Sequence, residues 1–436
     1  MKKLFLLSAF CFLLSVNHAF AQGGTTGPLT WSLSNDTLTI SGEGEMPNYG
    51  DYFGAFSPWF DYRKLINSVV IENGVISIGD CAFWSCTNLT SITIANSVTR
   101  MGDQAFAYCK SLTEIEIPDS IQKIERLTFY RCTGLSSINI PYGVVTIENS
   151  AFEECVNLTS INLPNSLINI EFWAFYACTS LTSITLPENI TNIGAAAFSY
   201  CTSLASIFIP KSVTNIGSSI FSNCTSLTAI EVESENIVFA SEEGILFNKS
   251  KTTLICYPAG KTTKEYIIPD NVTSIGRSAF SSCANLTSVT IHNGISSIGS
   301  SAFSECSGLV SITLPNSITS IENSTFSRCT ALASIYIPES VKRIDTYAFY
   351  YCKSLTLITN LNPVPVNINF DVFFDGVNMR TCTLEVPINS VEAYKKANVW
   401  KEFNIVGIEV GIVETDDYPS LQSLRLCSRY PVPGEE

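Results

Sequence analysis

The segment LTSITLPENITNIGAAAFSYC, residues 181–201, carries the pattern that decides the fold of this chain. In its first half, Ile184 and Leu186 flank a polar residue, and Pro187 follows them. Alternate side chains of a strand lie on one face, and proline cannot donate to the next strand of a ladder. We therefore predict a short strand that ends at the proline. The second half, which ends at Cys201, has the apolar spacing of a turn or a short helix.

The same pattern recurs with a period of 23 residues. Eleven cysteines mark the equivalent position, each with phenylalanine three residues before it and leucine three residues after it. They are Cys86, Cys109, Cys132, Cys155, Cys178, Cys201, Cys224, Cys283, Cys306, Cys329 and Cys352. The step from Cys224 to Cys283 is 59 residues, which is two periods plus 13, so one repeat has lost its cysteine and about 13 residues are inserted.

Repeats of this length cannot enclose an apolar core singly, so they must stack and share one. The leucine position recurs from residue 66 to residue 355, which corresponds to 13 coils. The predicted fold is a β-rich α/β solenoid with one short parallel strand per coil. With neighbouring strands about 4.8 Å apart, the array is a rod or an arc roughly 60 Å long.

The eleven cysteines then form a structural column of small buried groups. Their Cβ vectors run parallel, which suits disulfide geometry badly, so we expect free thiols. Four further cysteines, Cys81, Cys256, Cys382 and Cys427, lie off this column, and any disulfide would more readily involve them.

Residues 60–358 resemble the BspA-like leucine-rich repeat family, whose coils run L-x-x-I-x-I-P-x-x-V-x-x-I-G-x-x-A-F-x-x-C. The segment from Ser241 to Lys261 is similar to a hairpin that interrupts such arrays. Departures are modest, with Glu125, Glu148 and Glu171 where the pattern has glycine. The resemblance implies a leucine-rich repeat solenoid and a role in adhesion to host extracellular proteins or to other cells.

The chain begins with a basic start, an apolar run and the sequence Ala19-Phe20-Ala21, which predict a signal peptide over residues 1–21 that is cleaved after Ala21. Residues 22–59 are predicted to form an N-terminal β cap with a hairpin from Leu29 to Gly42. The solenoid is predicted to cover residues 60–360, with a hairpin insertion near 234–258.

Asn360 stands where a core aliphatic is expected, and it predicts the end of the stack. Residues 361–410 are predicted to form a C-terminal cap, with a last strand over Thr383–Pro387 and a capping helix over Ser390–Phe403 with a serine N-cap. Residues 411–436 are expected to be a tail or an attachment linker.

Composition excludes several classes of function. The formal charge is −14, and a nucleic-acid binder needs clustered lysine and arginine. Of the two histidines, His18 lies in the predicted leader, which leaves His292 as a solvated loop residue. We therefore expect no enzymatic activity, no metal site and no cofactor, and the apolar segments predict no transmembrane span.

The candidate binding residues are those of the sheet face, defined as the outward strand positions five and seven residues after each cysteine. Most of them are serine or threonine. The exceptions are Glu114, Glu116, Asn139, Asn162, Phe208, Glu231 and Tyr336. An aromatic side chain exposed on such a sheet is a typical interface anchor.

A second row of aromatic residues, the tyrosine stripe, stands one or two residues before the cysteines. It comprises Trp84, Tyr108, Tyr130, Tyr176, Tyr200, Tyr350 and Tyr351. These rings either stack on sugars or pack half-buried between coils, and packing is the simpler interpretation. The predicted function is a secreted or cell-surface protein that binds extracellular proteins through its sheet face. The alternative is a surface protein that binds glycans.

Overall fold

The computed structural model describes residues 22–50, 55–373 and 375–409, so the predicted signal peptide and tail lie outside the described residues. The described chain is a β-solenoid of about 15 stacked coils of about 23 residues, which confirms the predicted fold class. Strands of both caps extend the stack beyond the 13 coils that the leucine spacing indicates.

Most of the strands predicted from the leucine pattern form the first ladder, in which neighbours pair in parallel wherever they are hydrogen-bonded. The prediction of one strand in every coil is wrong for two coils, because residues 114–117 and 183–186 form no regular strand. Its strands are Ser68–Ile71, Ser91–Ile94, Ser137–Asn139, Ser160–Asn162, Ser206–Ile209, Ala229–Val232, Glu265–Ile267, Ser288–Thr290, Ser311–Thr313, Ser334–Ile337 and Leu357–Asn360. The middle residues of the pair Ser137–Asn139 and Ser160–Asn162, Ile138 and Ile161, point inward and are buried.

Most coils also contain a second short strand, which the sequence pattern does not predict. These strands form the second ladder: Val75–Ile78, Arg100–Met101, Lys123–Ile124, Thr146–Ile147, Asn169–Ile170, Asn192–Ile193, Asn215–Ile216, Ser274–Ile275, Ser297–Ile298, Ser320–Ile321 and Arg343–Ile344. Most are two residues long, as in the parallel pair Thr146↔Asn169 and Ile147↔Ile170. A two-residue strand is too short to show an alternation in the sequence.

The Ala-Phe-x-x-Cys segment forms turns that are linked from coil to coil. The N–H of Phe83 donates to the carbonyl oxygen of Ala105 in the next coil at 2.8 Å, and the N–H of Cys86 donates to Phe83 in its own coil at 3.1 Å. The N–H groups of this segment donate alternately to the next coil and to their own coil. This pattern needs residues in the left-handed region, such as Ser150 at φ +58° and Glu154 at φ +57°. The segment therefore satisfies its backbone groups as a third ladder, the turn ladder.

The core follows the turn ladder as a column of stacked phenylalanine rings. Phe152 is fully buried, and its ring centroid lies 5.3 Å from those of both Phe129 and Phe175. Beside this column, all eleven ladder cysteines are buried and free. Cys81, Cys256 and Cys382 form no disulfide with another described residue, and Cys427 lies outside the described residues. Cys256 is buried near Cys224 and Cys283, where it raises the pKa of both thiols, so it is not remote from the column as the spacing predicts.

The insertion is an antiparallel hairpin of Phe239–Glu242 and Ile245–Asn248, followed by Thr253–Cys256. The last strand pairs in parallel with Ser274–Ile275 and so joins the second ladder. Gly260 takes the place of the missing cysteine, and a Cβ there would lie 2.6 Å from the backbone carbon of Ser226.

The N-terminal cap is an antiparallel sheet of Gln22–Thr26, Leu29–Ser34 and Thr37–Gly42, whose last strand pairs in parallel with Ser68–Ile71. A two-residue strand, Gly44–Glu45, pairs with the second ladder. A short 3₁₀ helix, Phe60–Tyr62, follows the cap. Beneath it, the ring of the buried Trp59 lies 5.9 Å from that of Phe83, which closes the apolar end of the stack.

The C-terminal cap differs from the prediction in two respects. Asn360 does not end the stack, because its strand pairs with Thr383–Pro387, which pairs in turn with Asn404–Ile408. The predicted helix over Ser390–Phe403 is one α-helical turn, Val391–Tyr394.

Short 3₁₀ helices lie at Phe370–Phe373, Ile388–Ser390 and Trp400–Glu402. The hydroxyl of Ser390 donates to the carbonyl oxygen of Pro363 at 2.9 Å and makes no cap hydrogen bond, and Val399 has a φ of +66°. Without the serine cap, and with a left-handed residue near its end, the segment cannot form a longer helix.

Candidate binding surfaces

The sheet-face candidates stand in one column of the first ladder. Asn139 pairs with Asn162, Phe208 with Glu231, and Thr313 with Tyr336. Glu114, Glu116, Asn139, Asn162, Phe208 and Glu231 are exposed, as the sequence predicts for outward positions.

Glu114 and Glu116 lie in a coil whose segment forms no regular strand. With Ser91–Ile94 and Ser137–Asn139 on either side, they line a shallow groove of about 340 Å³. In the described part of the chain, no lysine or arginine lies within 4.0 Å of either carboxylate. This end of the sheet face is therefore acidic and polar.

Phe208 is the most prominent apolar candidate, with 53% of its surface exposed. Its strand, Ser206–Ile209, is paired on one side only, with Ala229–Val232. Sequence reasoning missed Ile267, which occupies the same column in the repeat that lacks a cysteine and is 72% exposed. Counting outward from the apolar Tyr266 and Ile268 would have identified it.

Tyr336 is half-buried, whereas the sequence pattern predicts an exposed ring. Its strand is paired on both sides, with Thr313 on one and Thr359 on the other. Burial raises the pKa of the Tyr336 hydroxyl, and the nearby carboxylate of Glu339 raises it further. Tyr336 therefore offers less surface to a partner than Phe208 does.

The N-terminal part of the tyrosine stripe is packed between coils. The ring of Tyr108 lies 5.8 Å from that of Trp84 and 5.2 Å from that of Tyr130. The guanidinium of Arg131 lies 5.1 Å from the centre of the Tyr130 ring and 2.7 Å from the carboxylate of Glu154. Half-buried packing thus accounts for these rings, as the simpler interpretation predicts.

The middle of the stripe is different, because it contains two aromatic residues that sequence reasoning missed. The rings of Phe172 and Trp173 stack at 4.3 Å, Trp173 lies 5.5 Å from Tyr176, and Tyr176 lies 5.3 Å from Tyr200. Phe172, Trp173 and Tyr200 are 40%, 38% and 37% exposed. We call these four residues the aromatic platform. The dense sequence EFWAFYAC, residues 171–178, is the signal that was available.

The C-terminal part of the stripe carries cations beside its rings. The guanidinium of Arg328 lies 5.8 Å from the centre of the Tyr350 ring, and the ammonium of Lys353 lies 3.9 Å from that of Tyr351. Both tyrosines are half-buried.

His292 is half-buried and not the solvated residue that the sequence predicts. Its Nε2 lies 3.0 Å from the carbonyl oxygen of Pro269, and its Nδ1 lies 3.1 Å from the backbone nitrogen of Gly294. An Nε2–H tautomer satisfies both contacts. The imidazole therefore holds a turn and links two coils.

Parallel ladders, stacked phenylalanines and periodic leucines define a leucine-rich repeat solenoid. Residues 57–171, 122–253 and 254–380 match the family model described as the BspA type leucine rich repeat region (6 copies). The chain belongs to this family. Among curated protein sequences, none matches it.

Solved structures of bacterial proteins share the fold. A leucine-rich cell surface protein of Faecalibacterium prausnitzii is 28% identical with a TM-score of 0.58, over 90% of this chain and 96% of that one. A leucine-rich repeat protein of Eubacterium ventriosum is 26% identical with a TM-score of 0.50, over 92% and 98%. The pneumococcal vaccine antigen PcpA shares the fold at 19% identity and a TM-score of 0.53, over 89% and 99%.

Within residues 22–50, 55–373 and 375–409, no helix is both long and apolar enough to cross a bilayer.

Proposed function

We propose that this protein is a secreted or cell-surface adhesin that binds extracellular proteins through its sheet face and carries no catalytic activity. The observation that supports the proposal is the outward column of the first ladder, where the exposed Phe208 and Ile267 stand among polar side chains. Interfaces draw most of their energy from a few such apolar anchors within a polar surround.

The ladder itself favours recognition of a large surface. Most outward side chains are held by strands that are paired within the stack, so little conformational entropy is lost when a partner binds. The acidic groove at Glu114 and Glu116 adds a charge that selects partners with a basic patch and steers their approach.

Similarity to a leucine-rich cell surface protein supports the proposed location. We propose that export depends on the leader over residues 1–21, with cleavage after Ala21. Cleavage there places Gln22, the first residue of the N-terminal cap, at the mature N-terminus.

The proposal is tested by screening residues 22–436 on an array of extracellular proteins. For a partner that binds saturably, Phe208→Ser and Ile267→Ser should each weaken binding about tenfold or more, because each removes an apolar anchor. Tyr142→Ser is the matched control, since Tyr142 is 77% exposed but lies after the strand, beyond Pro141.

Unchanged thermal unfolding of the variants would exclude loss of fold as the cause of weaker binding. Silence of the array, or equal binding by all three variants and the parent chain, would refute the sheet face as the binding surface.

A further inference from the structure

We propose that the aromatic platform of Phe172, Trp173, Tyr176 and Tyr200 is a binding site for an uncharged polysaccharide. It lies on the turn ladder, away from the sheet face, and it is independent of the protein-binding function proposed above.

The platform offers ring faces in a row. Successive ring centroids are 5.5 Å apart from Trp173 to Tyr176 and 5.3 Å apart from Tyr176 to Tyr200, with the ring planes tilted by 44° and 53°. This spacing is close to the length of one pyranose residue in a polysaccharide chain. Each sugar can therefore lay its apolar C–H face on one ring, as amphipathic aromatic side chains allow.

The platform also offers hydrogen-bonding groups at its edge. The hydroxyls of Tyr176 and Tyr200 make no hydrogen bond to any described residue, so both are available to sugar hydroxyls. The carboxylate of Glu305 accepts a hydrogen bond from the Ser282 hydroxyl at 3.3 Å and retains free lone pairs.

Glu305 and Arg328 come from the part of the chain beyond the hairpin, yet both act on Tyr200. Burial is the largest cause that raises the pKa of the Tyr200 hydroxyl, Glu305 raises it further, and Arg328 lowers it. A carboxylate and a guanidinium are therefore near enough to the platform to act on one of its hydroxyls. In sugar sites, such groups bind pairs of neighbouring hydroxyls.

The hairpin coil explains how these groups come together. At the edge of the turn ladder, side chains bypass this coil: the Ser222 hydroxyl donates to that of Ser281 at 2.9 Å, and Ser219 and Ser278 are also hydrogen-bonded at 2.9 Å. Residues 59 positions apart therefore touch there, where 23 is the usual step. At this edge the turn ladder continues directly past the hairpin coil, which brings the parts of the ladder before and after the hairpin together.

Charge and shape favour an uncharged glycan as the occupant. The carboxylates of Glu153, Glu154 and Glu305 all raise the pKa of the Tyr176 hydroxyl, behind burial as the largest cause, so the charges that act on this ring are acidic. A nucleic acid or a sulfated glycan would be repelled. A protein anchor needs a closed, desolvated pocket, whereas these rings form an open ridge with polar edges.

Affinity electrophoresis of residues 22–436 through gels that contain amylose, mannan, xylan or a β-glucan tests the proposal. We expect retardation by at least one of them. Trp173→Ala and Tyr200→Ser should each weaken that binding about tenfold, in line with the loss of one stacked ring. Trp173→Phe, which keeps a ring face, and Tyr142→Ser, an exposed tyrosine elsewhere, should preserve it.

Tryptophan fluorescence locates the site independently. Trp31, Trp59 and Trp400 are buried, so quenching by acrylamide reports mainly on Trp84 and Trp173. The polysaccharide that retards the chain should protect the parent and the Trp84→Phe variant from quenching, and should have no such effect on Trp173→Phe.

The proposal would be overturned by no retardation in any gel, or by retardation that Trp173→Ala and Tyr200→Ser leave unchanged. It would also be overturned if these two variants lost binding only to the protein array. Phe208→Ser should bind polysaccharide normally, so failure of the platform and failure of the sheet face are distinguishable.

Discussion

The thiol of Cys155 donates a hydrogen bond to the backbone carbonyl oxygen of Phe129, 26 residues earlier in the chain, at a distance of 3.1 Å. Eight other ladder cysteines make the equivalent contact, and all nine distances fall between 3.0 and 3.3 Å. Cysteine therefore suits this position for two reasons: it is small enough for the column, and its thiol donates to a buried carbonyl oxygen.

Removal of one ladder thiol should destabilise the chain. We expect Cys155→Ala to lower the free energy of unfolding by about 1–2 kcal/mol, since the variant loses a hydrogen bond and leaves a small cavity. Urea denaturation followed by circular dichroism measures the loss. Cys81→Ala is the control, because Cys81 is only partly buried and lies off the column. Equal effects of the two changes would contradict the role assigned to the column.

The ladder thiols should resist alkylation in the native protein. Burial raises the pKa of Cys132 to about 12, and that of Cys201 to about 12. At pH 8 the reactive thiolate is therefore about 10⁴-fold less abundant than the thiol. Treatment with iodoacetamide, followed by mass spectrometry of peptides, should find both cysteines unmodified in the folded chain and modified in urea. Labelling of either residue in the folded chain would disprove the buried column.

Glu171 should make stability rise on mild acidification. Burial is the largest cause that raises its pKa above the ordinary 4.5, Glu148 adds to it, and Lys123 opposes it. A carboxyl whose pKa is higher in the folded state binds its proton more tightly there. Its contribution to stability therefore grows as the pH falls through the raised pKa, and it is complete below the unfolded value.

The substitution Glu171→Gln tests this sign. At pH 7 the variant should be more stable than the parent, and its gain from acidification should be smaller. Glu125→Gln is the matched control from the same column of the repeat, because Glu125 is 3.1 Å from the ammonium of Lys123 and loses an attraction when neutralised. Thermal unfolding between pH 4 and pH 8 should thus separate the two variants in opposite directions at neutral pH. A stabilising Glu125→Gln or a destabilising Glu171→Gln would refute the electrostatic argument.

The phenylalanine column should be the most sensitive part of the core. Phe152→Ala removes a ring that is stacked on both sides and fully buried, and we expect a loss of about 3–5 kcal/mol. Because coils interact mainly with their neighbours, hydrogen exchange should increase around this coil and less at the distant C-terminal cap.

Phe172→Ala is the control, since Phe172 lies in the next coil and is exposed on the platform. It should cost less than 1 kcal/mol. Similar losses for both phenylalanines would show that the column is not the main source of stability.

Much of the fold was predictable because the repeat supplies the same information many times. The spacing of leucine, phenylalanine and cysteine indicates the strands of the first ladder, the inward faces and the missing marker, which the structure places at Gly260. The second ladder was not predictable, since strands such as Thr146–Ile147 exist only through pairing with neighbouring coils. The left-handed residues of the turns were hidden for the same reason, because serine and glutamate hold these conformations through contacts between coils.

The candidate surfaces were predictable only in part. The alternation of the strand assigns Phe208 and Glu231 to the outside, and the structure exposes both. Whether an outward ring is covered depends on its flanking strands, and so Tyr336 is half-buried whereas Phe208 is open.

The sequence by itself determined the period, the stacking of coils, the inward column and the family, because each of these depends on residue types at fixed spacing. Only the tertiary structure decided that Glu305 and Arg328, more than 100 residues later in the chain, come near enough to Tyr200 to shift the pKa of its hydroxyl. That proximity depends on how the hairpin coil is bypassed at the edge of the turn ladder. Such contacts join side chains that no local pattern relates, and they form only when the whole stack has been built.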